Sequence, residues 1–206
     1  MGRYIGPVCR LCRHIGEKLF LKGERCYTPK CPIEKRRGAP GMRTTSRRRL
    51  SDYGIRLREK QKLRYTYGIL EGQLRRYLET AQRLPGDTGQ TLLQLLERRL
   101  DNALFRLNFA DSRRQARQMV RHRHITVNGR RVDIPSYLVR VGDLIAWKDG
   151  HREFVQALMK GEPQRPVPPW LSLDTSTLTG KVVGLPQPAD LEMNINTRLI
   201  VEFYSR

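Results

Sequence analysis

Asn128-Gly129, set between Val127 and Arg130-Arg131-Val132, leaves this chain of 206 residues the least local freedom. Both positions tolerate positive φ, which the two-residue turn of a twisted antiparallel hairpin demands. The spacing predicts a helix just before it. Asp111 or Ser112 offers a short side-chain oxygen to an orphan backbone N–H at the helix start. From there Ala116, Met119 and Val120 share one face. Arg113, Arg114, Arg117 and Arg121 fall on a neighbouring arc at three- and four-residue steps. Such a helix buries one side and offers four guanidinium groups on another. Val141-Gly142-Asp143 reads as a second turn, leading into the strand Leu144-Ile145-Ala146-Trp147.

Charge says what the arginines are for. The chain holds 40 Lys+Arg against 20 Asp+Glu, a formal net charge of +20. That excess fits a polyanionic partner, a nucleic acid or an acidic membrane. It is also uneven. Residues 1–50 carry fourteen Lys/Arg and three Asp/Glu, a net of +11, whereas residues 151–206 carry six of each. A merely solubilising charge would be spread more evenly, so the first half looks built to touch polyanion and the C-terminal part to pack or to meet another protein. There is no apolar run of about eighteen residues to span a bilayer, and no apolar segment of a secretory leader at the start. Met1-Gly2 opens like a myristoylation site, but Gly6 stands where Ser or Thr is needed. The expected compartment is the cytoplasm.

All four cysteines lie in residues 1–50: Cys9 and Cys12 two residues apart, then Cys26 and Cys31. Four thiolates can close a tetrahedral Zn²⁺ shell, and a C-x2-C clamp beside a second nearby pair is typical of structural zinc. An iron–sulfur cluster is the alternative metal centre. Two disulfides or four free thiols compete with the metal; disulfides are disfavoured in a cytosolic chain, and His14 is better read as a surface residue than as a ligand. A metal also answers a packing problem. Leu11, Leu19, Phe20 and Leu21 are too few to fold this segment alone, so ion binding would supply much of its folding free energy. Residues 34–49, with Arg36-Arg37 and Arg47-Arg48-Arg49, read as an extended basic linker that orders on its partner.

Beyond the linker the pattern is helical. Ser51 or Asp52 caps a helix running to about Tyr67 and stopping at Gly68. Leu70, Leu74, Tyr77, Leu78 and Ala81 form an amphipathic stripe that Pro85-Gly86 ends. Asp87 or Thr88 opens a leucine-rich core helix through Leu92, Leu96, Leu100, Leu104 and Leu107, which lacks the sustained heptads of a zipper. After the hairpin, Phe154, Val155, Leu158 and Met159 suggest a short helix, and four prolines between residues 162 and 170 break regular structure. Residues 171–174 and 181–183 read as short strands, and the terminal run Leu199-Ile200-Val201-Glu202-Phe203-Tyr204 as buried.

No hydrolase, kinase or dinucleotide signature is present, and no carboxylate cluster suits Mg²⁺ chemistry. Asp101-Asn102, inside the leucine-rich helix, reads as a hydrogen-bonding or junction pair rather than a catalytic one. His122 and His124 sit where a helix end favours them. The chain is therefore expected not to be an enzyme. The basic helix could enter a DNA major groove, but there is no dimerisation stripe. Irregular basic segments beside an arginine-rich helix better suit folded RNA, read through shape and sugar–phosphate contacts.

Residues 100–147 resemble the S-four RNA-binding domain, with its arginine-rich helix, I-x-V-N-G-x-x-V hairpin and G-D turn. The whole chain resembles the bacterial small-subunit ribosomal protein of the S-four family. Met1-Gly2-Arg3-Tyr4 with the four-cysteine knuckle matches its zinc-bearing branch. Ser51-Asp52-Tyr53-Gly54-Ile55-Arg56-Leu57-Arg58 matches its first helix, Leu96-Glu97-Arg98-Arg99-Leu100-Asp101-Asn102 the start of its RNA-binding domain, and Pro169-Trp170-Leu171-Ser172 and Val201-Glu202-Phe203-Tyr204-Ser205-Arg206 its C-terminal part.

The resemblance implies a structural component of the small ribosomal subunit. It would be a primary binder of 16S rRNA that holds a multi-helix junction in the 5′ domain and helps begin assembly. It would lie near the path by which mRNA enters, touch a neighbouring protein of the S-five family and influence translational accuracy. Neither a membrane nor a small-molecule substrate is implied. Arg113, Arg114, Arg117, Arg121, Arg130 and Arg131 are expected at phosphates, with Arg47, Arg48, Arg49, Arg56, Arg58 and Lys62 as a second set, and zinc on Cys9, Cys12, Cys26 and Cys31. Six neutralised phosphates would give log affinity against log salt a slope of about −4 to −5. Two other functions compete with this one. An RNA-modifying enzyme such as a pseudouridine synthase can carry the same small domain but needs a catalytic domain that the remaining residues do not supply. A zinc-dependent DNA regulator would bind duplex DNA as well as folded rRNA. The expected architecture is α+β: a basic metal-knuckle extension (1–50), an all-helical domain (51–97, completed by 190–206), and an RNA-binding domain with helices on an antiparallel sheet (98–189).

Overall fold

The computed structural model describes residues 2, 4–35, 38–41, 50–148, 165–190 and 195–205, and divides into two compact units, Met1–Leu92 with Met193–Arg206, and Leu93–Glu192. Among the described residues no helix is long and apolar enough to cross a membrane.

The first unit opens with α1 (Val8–Ile15). Gly16 ends it, its left-handed φ of 81° letting the N–H reach back to the Cys12 carbonyl at 2.7 Å. A 3-10 turn (Gly23–Cys26) and the short helix α2 (Pro32–Lys35) follow. Glu34 and Lys35, expected in the extended linker, thus close a helical turn instead. Val8, Cys12, Ile15, Leu19 and Leu21 form a small core, which Leu11, Ile33 and Tyr65 complete. Tyr65 comes from α3 (Asp52–Thr66), so the knuckle does not rely on its own few apolar residues. Ser51 caps α3, its Oγ accepting from the Gly54 N–H at 3.2 Å. Next come α4 (Glu71–Arg83), which buries Leu74, Leu78 and Ala81, and α5 (Thr88–Glu97).

The C-terminal run is a helix, α8 (Thr197–Tyr204), capped by Asn196 and packed on α3. Arg56 Nε meets Glu202 Oε2 at 2.8 Å, Glu59 accepts from the Asn196 N–H at 2.8 Å, and the Tyr53 and Phe203 rings lie 5.6 Å apart. Ile200 is fully buried, but Leu199, Val201, Phe203 and Tyr204 are only half-buried. The sequence predicts burial for the whole run; a short helix laid on one neighbour can bury only one stripe.

In the second unit the leucine-rich segment is not one helix. It breaks at Arg98-Arg99, where Arg99 takes extended backbone (φ −64°, ψ 137°), and resumes as α6 (Leu100–Arg106). A strand-like bridge replaces the missing helical bonds. The Leu100 N–H donates to the Tyr137 carbonyl at 2.8 Å, and the Val139 N–H to the Arg98 carbonyl at 2.9 Å. Helix α7 (Arg113–Arg121) follows, capped by Ser112. The strands β1 (Ile125–Val127), β2 (Arg130–Arg131), β3 (Leu144–Trp147), β4 (Leu171–Asp174) and β5 (Thr179–Val182) pair antiparallel in the order β2-β1-β3-β5-β4. The helix suggested around residues 154–159 lies outside the described residues.

Period-two alternation sends Ile125, Val127, Ile145, Trp147, Leu171 and Val182 inward, into one core with Leu100, Leu104, Leu107, Ala116 and Val120. Gly180 makes the close approach possible: a Cβ there would stand 2.3 Å from Leu107 Cδ1. The opposite face of the sheet keeps exposed Leu144, Lys181 and Ser172 in one row.

Candidate nucleic-acid interface

Helices α6 and α7 pack together through polar groups as well as apolar ones. Arg99 is 0% exposed and forms a two-pronged pair with Asp101, Nε to Oδ1 at 3.0 Å and one terminal nitrogen to Oδ2 at 2.7 Å. Arg117 reaches the same Oδ2 at 3.4 Å. Beside this lies a second chain of bonds. Arg106 grips Glu97 at 2.9 and 3.2 Å. Asn102 Nδ2 donates to both the Glu97 carbonyl and Glu97 Oε2 at 2.9 Å, and Asn102 Oδ1 accepts from Arg113 Nε at 2.7 Å. The Arg113 guanidinium also lies over the Phe105 ring at 4.2 Å, and that of Arg165 over the same ring at 3.9 Å. Arg165 donates to the Phe105, Ala110 and Asp111 carbonyls, tying down the turn between the two helices. Asp101 and Asn102 are thus hydrogen-bonding residues, as read from the sequence.

This arrangement corrects the expected row of four offered guanidinium groups. Arg113 and Arg117 are buried, at 9% and 6% exposure. Arg114 is half-buried and Arg121 exposed, and neither makes a hydrogen bond or ion pair among the described residues. The wheel holds a signal that the three- and four-residue spacing alone does not use. At about 100° per residue, Arg113 and Arg117 fall ~20° and ~60° from Val120, while Arg121 and Arg114 fall ~100° and ~120° away. The first pair borders the apolar stripe; the second stands clear of it.

The hairpin adds Arg130 and Arg131, both exposed and likewise without partners among the described residues. Its turn has the expected left-handed backbone, with φ 51° at Asn128 and 76° at Gly129. Asn128 has a further task that its turn propensity does not announce. Its side-chain amide donates to Asp143 Oδ1 at 2.9 Å, and its Oδ1 accepts from the Leu144 N–H at 2.9 Å. Asp143 also accepts from the Arg140 N–H at 2.8 Å. The two turns are locked together, which fixes the ribbon that carries Arg130 and Arg131. The His122 and His124 rings lie 6.0 Å apart at the end of α7.

The second expected set is largely engaged inside the first unit. Lys62 is buried and pairs with Glu17 at 2.7 Å, Arg56 pairs with Glu202, and Arg58, though exposed, donates to the Ile15 carbonyl. Helix α3 thus uses these three cations to fasten the knuckle and α8. Arg47, Arg48 and Arg49 lie outside the described residues.

Cys9, Cys12, Cys26 and Cys31 line one small cavity with Leu21 and Ile33, and no disulfide joins them. The Lys22 N–H donates to Cys26 Sγ at 3.3 Å. Burial pushes the Cys12 thiol up to about 11, against a backbone hydrogen bond from Leu19, and the other three cysteines push it further the same way. Burial also raises Cys26. Among the described residues no group of three or more His, Cys, Asp or Glu side chains stands close enough to hold an ion. The four thiols nevertheless share one cavity and one of them receives a backbone N–H, so in donor type and lining the quartet suits a thiolate site.

Two family models match adjoining parts of the chain. The family described as ribosomal protein S4/S9 N-terminal domain matches residues 3–97, and the S4 domain matches residues 98–145. The small ribosomal subunit protein uS4 of Thermus thermophilus is 57% identical over 209 residues, covering 100% of both chains. Those of Acetivibrio thermocellus and Heliobacterium modesticaldum are 55% and 53% identical over 208 residues, again covering 100% of each chain.

Proposed function

This chain belongs to the S-four family of small-subunit ribosomal proteins, and from that premise we propose that it is a primary binder of 16S rRNA, holding a multi-helix junction in the 5′ domain. The family makes it a structural, RNA-binding part of the small ribosomal subunit and not an enzyme. The junction, a part in starting assembly, a place near the path by which mRNA enters, contact with an S-five-family neighbour and an effect on accuracy are our reading beyond that.

One observation carries it: Arg114, Arg121, Arg130 and Arg131 stand partnerless among the described residues on a helix and a ribbon that are each locked in place. Loose cations bind any polyanion. Cations fixed at set distances select a surface whose phosphates lie at those distances, and so favour one folded RNA over random duplex. Four such contacts contribute a salt slope of about −2.8 to −3.6. The mechanism is positioning: fixed positive charge lets RNA helices converge that would otherwise repel, with no bond made or broken.

Zinc on Cys9, Cys12, Cys26 and Cys31 completes the reading, in preference to an iron–sulfur cluster. When bound, the ion supplies folding free energy to the knuckle rather than chemistry. The four cysteines would hold it, and the Lys22 N–H would orient Cys26. Chemical footprinting of small-subunit rRNA tests the proposal, run beside binding to duplex DNA at matched salt. Protection confined to one junction, with duplex bound far more weakly, is expected. Diffuse protection or equal affinity would reduce the protein to nonspecific charge.

A further inference from the structure

Taking the rRNA-binding reading as given, we propose that Asp101 and Asn102 are positioning residues for RNA recognition, and that Arg113 and Arg117 are their handles on α7 rather than phosphate contacts. Arg113 and Arg117 lie one helical turn apart. Each is held by a residue of α6: Asn102 Oδ1 takes Arg113 Nε at 2.7 Å, and Asp101 Oδ2 takes Arg117 at 3.4 Å. Neither holder is free to swing. Asp101 is fixed by its two bonds to Arg99, and Asn102 by its two bonds to Glu97, which Arg106 grips in turn. The Phe105 ring beneath Arg113 and the carbonyls bound by Arg165 brace the same corner.

The consequence is rotational. Ala116, Met119 and Val120 alone would let α7 roll by some degrees, because apolar contact is not directional. Two hydrogen-bonded handles one turn apart remove that freedom, because their geometry is directional. With the roll fixed, Arg114 and Arg121 project at set positions from the neighbouring arc of the helix, clear of the apolar stripe. A guanidinium at 9% or 6% exposure, already bound by an amide or a carboxylate, presents no fork to an incoming phosphate. The ligand class is the phosphodiester surface of folded RNA, and these two arginines act on it only through the orientation of their neighbours.

The salt slope separates the two roles. With the full chain and a 5′-domain fragment of small-subunit rRNA, Arg114→Gln and Arg121→Gln should each flatten the slope by about 0.7–0.9, one phosphate apiece. Arg113→Gln, Arg117→Gln and Asp101→Asn should leave the slope unchanged and weaken rRNA binding by about tenfold at every salt concentration. Asp101→Asn combined with Arg117→Gln should be no worse than Asp101→Asn alone, since the Asp101–Arg117 link is already broken in it. A slope flattened by a full contact in Arg117→Gln, with Asp101→Asn harmless, overturns the proposal.

Should the buried variants fail to fold, the unaltered chain answers instead, through arginine modification by phenylglyoxal. Arg114 and Arg121 are expected to react in the free protein and to be protected by rRNA, with Arg113 and Arg117 unreactive in both. Reaction of Arg113 or Arg117 in the free chain, lost on adding rRNA, overturns it. If the unaltered chain does not prefer rRNA to duplex DNA, the underlying reading fails. The free-chain modification pattern then still decides whether the two handles are shielded.

Discussion

Arg99, fully buried, shows what a charge needs in order to sit inside this small domain. It has a carboxylate two residues away in a two-pronged geometry, and a break in the helix that brings the two into register. Removing one member of such a pair costs more than the pair itself contributes, because the partner stays behind in low dielectric. Asp101→Ala is therefore expected to lower stability by about 3–5 kcal/mol in urea unfolding; a loss under ~1 kcal/mol would mean water already reaches the pair. Gly180 is the converse case, a site defined by what is missing. Gly180→Ala pushes a methyl into Leu107 and should cost about 1–3 kcal/mol by the same measurement. Glycine in a strand is visible in the sequence; that a leucine following α6 fills the space above it is not.

Elements here are set by their ends and by what crosses between them. Ser112 caps α7, and Ser112→Ala should cost about 0.5–2 kcal/mol, read as a lowered melting temperature. Helix α8 is tied at Tyr204, whose hydroxyl donates to Glu71 Oε1 at 2.6 Å, while Lys60 reaches the same oxygen at 2.9 Å. Partial burial works against the Glu71 carboxylate, but the Tyr204 and Lys60 hydrogen bonds and the Lys60 and Arg64 charges outweigh it and hold it below its ordinary 4.5. A carboxyl depressed in the folded state stabilises the fold above its unfolded value and loses that contribution as pH falls through its folded value. Amide protection in α8, taken against the intrinsic exchange rate at each pH, should therefore fall as pH drops below about 4.5, and Tyr204→Phe should weaken that response. Protection that ignores acid would disconnect Glu71 from α8. The sequence predicts both ends of α3 and the cap of α7, since each is decided within a turn. It does not predict the break at Arg98-Arg99, which depends on a bridge to Leu138 that lies far along the chain.

For the molecule as a whole, the family and its RNA-binding character were readable from order and spacing over nearly the full length. Among the described residues the open cationic surface of α3 and α7 is smaller than the spacing implies, because Arg56, Lys62, Arg113 and Arg117 are engaged internally. Replacing Arg114, Arg121, Arg130 and Arg131 together by Gln should flatten the rRNA salt slope by about 2.8–3.6; a change near zero would place the phosphate contacts elsewhere. Metal analysis of the full chain should find about one Zn²⁺, four thiolates making one closed shell. A strong chelator should speed amide exchange in α1 and leave the core around Leu104 protected, because the two lie in separate units. Unchanged exchange in α1 would mean that the Leu19 and Tyr65 core suffices without an ion.

By itself the sequence determined the hairpin at Asn128-Gly129, helix starts within residues 51–52 and 111–112, and a cysteine quartet in one short segment. Each is fixed by backbone preference or spacing within a few residues. The helical wheel sets Arg113 and Arg117 beside the apolar stripe, but only the tertiary structure decided what two buried guanidinium groups could bind there. Their partners are a carboxylate and an amide on another element, and folding alone brings Asp101 and Asn102 within reach of Arg117 and Arg113.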